Sequence, residues 1–150
     1  MNLQQSESLR LKQVGQVFLN SAQHVPQDKA DWKPDSGLTS ASEIVQHIAW
    51  ANGFFDALIQ AKTPTEYAFD PDLSYARALA RFDQSCKDLA GTTAVVPDDQ
   101  LDDTRDMPWG QTWKVKHILM AGSLHIAYHW GQIGYLQKGW GDTTDYHLVS

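Results

Sequence analysis

The chain has 150 residues, 42% of them hydrophobic and 20% charged, with a formal net charge of −6. That is the size and composition of one ordinary folded domain, residues 1–150, with enough apolar residues for a sizeable core, and argues against a disordered chain. The acidic balance argues against nucleic acid, whose phosphates require a basic surface, and against an anionic membrane. The one cysteine, Cys86, forbids an intrachain disulfide and fits a reducing, cytoplasmic setting. No run approaches the roughly 18 apolar residues of a membrane span, and MNLQQSESLRLKQ lacks the apolar core of a signal peptide.

Leu11, Val14, Phe18, Ala22 and Val25 follow helical spacing and predict a first helix over 4–25, stopped by Pro26. His24, near its end, reads as a surface histidine. Residues 26–39 carry the turn formers Pro26, Pro34, Asp35 and Gly37, with Trp32 as the anchor that packs this loop onto the body. Ser40-Ala-Ser-Glu43 has the form of a capping box, so the second helix starts there. Its core stripe is Ile44, Ile48, Ala51, Phe55 and Leu58, and Thr63-Pro64 ends it. His47 lies at the inner margin of that stripe. Its position alone is compatible with a partly exposed bundle-edge histidine or with a ligand.

Asp70-Pro71 has the form of a helix N-cap followed by a first-turn proline. Tyr75, Leu79, Phe82, Cys86 and Leu89 then make the core stripe of a third helix, with Gly91 as its cap. On that stripe Cys86 is a buried, inert thiol rather than a nucleophile. The acidic stretch Asp98 to Asp106 does not match a calcium loop and reads as solvated connection, with room for a short extended pair before the Met107-Pro-Trp-Gly110 turn. The fourth helix is expected from Thr112 to about Lys138, capped by Gly139. It is apolar nearly all round, as a buried helix is. Trp140 and Tyr146 are candidates to hold the tail. His147, also in the tail, is assigned no role.

Four amphipathic segments around one core predict an all-α four-helix bundle. The long connections between helices 1–2 and 3–4 leave room for a crossover. Metalloprotease, phosphate-loop, dinucleotide and nucleophile-elbow motifs are missing, and there is no Glu-x-x-His pair of the di-iron bundles.

The chemistry concentrates in His125-Ile-Ala-Tyr-His129-Trp-Gly-Gln132. Histidines four apart lie one above the other on a helix. Two inward imidazoles can hold a divalent metal when a third ligand arrives from another helix; the plain alternative is a chance pair of core or surface histidines. His117 lies about 80° around the helix from His125 and suits the same ion poorly. Gln132 could face a ligand or serve a packing contact. Tyr128 and Trp50 are candidate walls, and Glu43 could orient His47 but is better used in its capping box.

Taken together, Ser42-Glu-Ile-Val-Gln-His47-Ile-Ala, Pro108-Trp-Gly110 and His125-x-x-x-His129-x-Gly-Gln132-Ile resemble the DinB-like family of small bacterial four-helix bundles, over most of the chain. The resemblance implies a divalent metal (zinc first, otherwise nickel or iron) held by His47, His125 and His129. It implies a homodimer, and a metal-dependent hydrolase or a transferase acting on a small molecule with a low-molecular-weight thiol. It also leaves open a non-catalytic, stress-related binding bundle whose histidines are structural.

Overall fold

The computed structural model describes residues 1–146. Four helices dominate them: α1 (Leu3–Ala22), α2 (Ala41–Ile59), α3 (Tyr75–Ala94) and α4 (Val115–Gly139). A two-stranded antiparallel hairpin, β1 (Thr104–Asp106) and β2 (Thr112–Lys114), precedes α4, with Arg105 opposite Trp113. His147 lies outside the described residues.

Each helix boundary has a local cause, and some differ from the expected ones. At the start of α1, Asn2 and Gln5 exchange side-chain-to-backbone hydrogen bonds in a capping box. The helix stops at Ala22 rather than Val25, because the residue before Pro26 is disfavoured in helical conformation. Val25 stays buried in the turn that follows. The Ser40–Glu43 box starts α2 as its sequence indicates. In contrast, α3 is capped by Ser74, whose Oγ accepts from the Arg77 N–H, and not by Asp70. The Asp70 carboxylate instead closes a turn by accepting from the Asp72 N–H. Gly91 lies inside α3, which runs on to Ala94.

Residues 112–114 pair with β1 as the short extended pair, so α4 begins only at Val115. At its far end Gly141, with φ +94°, takes the left-handed position expected of Gly139. The Gly141 N–H bonds the Lys138 carbonyl and the Asp142 N–H bonds the Gln137 carbonyl, the double closure of a Schellman motif. Gly139 has a different use: a Cβ there would meet the Trp32 ring at 3.0 Å. Trp32 thus anchors the first connection, edge-on to Trp140 at 5.6 Å.

α1 packs on α3 and α4, and α2 packs on the same two helices, so α1 and α2 face each other across one diagonal and α3 and α4 across the other. The first and third connections therefore cross the bundle. Phe18 and Phe82, with ring centroids 4.6 Å apart, sit in a core with Leu11, Leu89, Ile118 and Ile126. Gly122 lets α4 approach closely, since a Cβ there would stand 2.9 Å from Leu89 and 3.0 Å from Leu11. α4 is not buried all round, as its composition suggests. Met120, Leu124, Tyr128 and Tyr135 face outward, the last three 62%, 66% and 76% exposed.

The connection from α2 to α3, residues 60–74, is also long. Two α2 side chains hold it. Gln46 brackets Asp70, accepting from its N–H and donating to its carbonyl at 2.9 Å each. The Trp50 indole N–H donates to the Thr65 carbonyl at 2.8 Å. The segment between these pins lies beside His47. The hairpin docks on the end of α2 through Arg105, which donates to the Leu58 carbonyl at 2.7 Å and the Ile59 carbonyl at 3.4 Å. A cation on the last carbonyls of a helix complements its dipole.

Candidate metal centre

Because α2 and α4 are neighbours, His47 from the first turns of α2 meets His125 and His129 from the middle of α4. Their Nε2 atoms converge: His125 Nε2 lies 3.2 Å from His47 Nε2 and 3.1 Å from His129 Nε2. One nitrogen of each ring falls within 4.8 Å of the others. Two ligands of a tetrahedral zinc site, with Zn–N bonds of about 2.0–2.1 Å, stand about 3.3 Å apart. The observed spacings match a set of donors arranged around one small ion.

The donor set fits as well. All three rings are half-buried. Burial pushes each imidazole pKa below its ordinary value, with the neighbouring imidazoles adding to the effect for His125, which falls to about 4. At neutral pH the rings are uncharged and their lone pairs are free to coordinate. For His129 the shift is opposed by Gln132. His129 Nδ1–H donates to Gln132 Oε1 at 2.7 Å, which turns the Nε2 lone pair toward the cluster. Gln132 in turn points its amide toward the Tyr128 hydroxyl at 3.5 Å. His125 has no such partner. Its Nδ1 is buried without a hydrogen bond, and its ring is set by packing, edge-on to Phe55 at 6.2 Å.

A cleft of about 400 Å³ opens beside His47 and His129, walled by Leu38, Thr39, Ile44, Tyr67 and Phe69. Tyr67 stands edge-on to His47 at 5.5 Å. Burial and the nearby Glu43 carboxylate raise its hydroxyl pKa, so it remains a proton donor. Glu43 also lines the cleft but is committed elsewhere, to the cap of α2 and to Lys33 at 2.8 Å. Burial opposes its ionisation, but Lys33 and the Ser40 N–H outweigh this and hold its pKa below the ordinary value.

The remaining sequence candidates separate from this cluster. Trp50 packs near His47 at 5.8 Å but mainly walls an adjoining cavity with Gln46 and Arg81. Tyr128 stands edge-on to His129 at 5.0 Å on the outer face. His24 stacks on Tyr146 at 4.1 Å and ties down the tail. His117 is exposed on another part of α4. Cys86 is buried in the core with its thiol pKa raised to about 12, and Asn52 donates to its sulfur. Tyr67 and Phe69 carry no helical periodicity, so no sequence signal marks them; only the pinned path of the 60–74 connection places them here.

No curated protein matches the sequence. Among solved structures, the fold is similar to a DinB-like protein, YjoA, from Bacillus subtilis, with a TM-score of 0.71 and 18% identity over 97% of each chain. At that identity the likeness concerns the fold alone. The sequence also matches the model of the DinB superfamily over residues 10–133. That match spans most of the chain, and the protein belongs to the DinB superfamily.

Proposed function

We propose that this protein binds one divalent metal ion through the Nε2 atoms of His47, His125 and His129 and uses it in a thiol-dependent transfer on a small molecule. The observation that carries the reading is the convergence of three uncharged imidazole nitrogens, with spacings of 3.1 and 3.2 Å, beside an open cleft. Three Nε2 atoms aimed at one point need a cation or a shared proton among them; a proton on His125 Nε2 serves one neighbour at a time, whereas an ion satisfies all three. Zinc suits the set best, and nickel or iron would also bind imidazole. Three protein ligands leave a coordination position for an exogenous group, as in catalytic rather than structural zinc sites. An ion held there lowers the pKa of a water or thiol that ligates it and supplies a nucleophile at neutral pH.

The chain's own groups favour thiol transfer over hydrolysis. Hydrolysis gains more from a free general base than thiol transfer does, because a thiol starts far nearer its ionised form at neutral pH than water. The carboxylate in the cleft wall, Glu43, is occupied by Lys33 and the helix cap. A thiol acidified at the site needs no such base. Tyr67, held protonated, is placed to donate to a leaving group in the cleft. Leu38, Ile44 and Phe69 give the cleft apolar walls.

The test is the metal content of protein purified without a histidine tag or added metal. About one equivalent per chain is expected in the wild type and little in His47→Ala, since each lost ligand removes a large share of the binding energy. A folded wild type without metal would leave the bundle a binding or interaction protein with structural histidines.

A further inference from the structure

The cleft beside the histidines does not end there. A second one, of about 320 Å³, runs between the turn at residues 34–39 and the outer face of α4. Leu38, Thr39 and Ile44 line both, so the two adjoin, with His47 and His129 at one end and Tyr135 and Leu136 at the other. The outer wall is a fixed turn: Asp35 accepts from the Gly37 N–H at 2.9 Å through its side chain and from the Leu38 N–H at 3.0 Å through its carbonyl. That turn holds Leu38 at the groove, 51% exposed. The opposite wall is Tyr128 and Tyr135, one above the other on α4.

Between the two tyrosines the helix has Gly131. Glycine is a poor residue for a helix interior. Among the described residues nothing demands it here, since a Cβ at this position would meet no atom of theirs within 4 Å. Its missing side chain leaves open the second cleft and, on the other side, a cavity bordered by Trp130, Gly134 and residues 144–146. Among the described residues, no charged one lines the second cleft. A charged ligand would therefore be desolvated without a partner, whereas an apolar one gains by burial. From Tyr128 to Tyr135 the helix advances about 10 Å, which sets the length of ligand the groove accepts.

We propose that the groove over Gly131 holds the apolar tail, alkyl or aryl, of an elongated neutral substrate whose reacting polar group sits at the three histidines. This rests on the metal-site reading above and adds the substrate class: amphiphilic compounds with a neutral tail about 10 Å long.

A homologous series of alkyl hydroxamates, from acetohydroxamate to decanohydroxamate, tests it by calorimetry on zinc-loaded protein. The hydroxamate chelates the ion and the alkyl chain probes the groove. In the wild type, affinity is expected to rise about fourfold with each added methylene. Gly131→Leu fills the groove and is expected to flatten the series while leaving acetohydroxamate binding and zinc content unchanged. Gly53→Leu, on α2 outside both clefts and likewise with open space at its Cβ, is expected to keep the wild-type slope. A flat series in zinc-loaded wild type, or an unaltered slope in Gly131→Leu, overturns the proposal and leaves the metal site standing. A flat series joined to loss of a dimer in Gly131→Leu, seen by sedimentation, also overturns it and assigns the groove to a second copy of the chain. Failure of the wild type to take up zinc removes the metal reading first, and this proposal with it.

Discussion

One amide fixes the direction of the His129 ring. Gln132 Oε1 accepts from Nδ1–H at 2.7 Å, and the contact selects the tautomer whose Nε2 faces the cluster. Gln132→Leu keeps the bulk and removes the acceptor, so metal affinity is expected to fall about 10- to 100-fold. Gln132→Glu retains an acceptor and is expected to keep it. A competition titration against a chromophoric chelator measures both, and equal affinities in wild type and Gln132→Leu would show the contact to be incidental. The sequence makes His125 and His129 visible as a pair through their spacing, but it leaves His47 ambiguous and gives Gln132 no distinct role. A ligand pair on one helix is a matter of periodicity. An orienting amide one turn further on depends on a rotamer, and the third histidine depends on which helices are neighbours.

At the level of elements, what was legible depended on whether a boundary is local. The Ser40–Glu43 box is complete within four residues, and α2 starts where it says. Asp70-Pro71 has an equally good local form, yet the bonds from Gln46 bind it into a turn, and α3 waits for Ser74. Thr112–Lys114 similarly pairs with a strand eight residues back instead of joining α4. The end of α2 shows a local conflict that survives in the fold. It closes with the same double bond pattern as α4, from the Ala61 N–H to the Leu58 carbonyl and the Lys62 N–H to the Ala57 carbonyl. There the left-handed position is filled by alanine, at φ +56°. An L-residue with a Cβ pays about 1–2 kcal/mol in that conformation, part of which glycine gives back through unfolded-chain entropy. Ala61→Gly is therefore expected to stabilise the protein by about 0.5–1 kcal/mol, read as a rise in the denaturant midpoint at unchanged slope. A fall would mean that the alanine methyl makes a contact worth more than the strain.

The architecture of the whole molecule was legible as four amphipathic helices, and the order in which they neighbour one another was not, because periodicity records which face is buried and not against what. That order is what places α2 beside α4 and spans them with the three histidines, so an ion bound there would link two helices far apart in sequence and stabilise the fold by mass action. At free metal about 100-fold above Kd the gain is about 2.7 kcal/mol, a rise of roughly 5–10 °C in Tm for a chain of this size. Stripping the metal with a chelator is expected to reverse it. The sign of the pH dependence follows from the direction of the imidazole shifts. In the folded chain burial lowers all three pKa values, to about 4 for His125, while the unfolded chain titrates near the ordinary value of 6.5. Between those values the unfolded state binds more protons, so the metal-free protein loses stability as pH falls from 6.5 toward 4, and His125 contributes no further loss below that. Protons also compete with metal for the same Nε2 atoms. Over the same window the Tm of loaded protein should therefore fall more steeply and converge on that of chelated protein. Thermal melts from pH 7 to pH 4, with and without chelator, check both slopes. Parallel curves, with a metal-dependent gap that persists at the acid end, would place the ion on ligands other than these histidines.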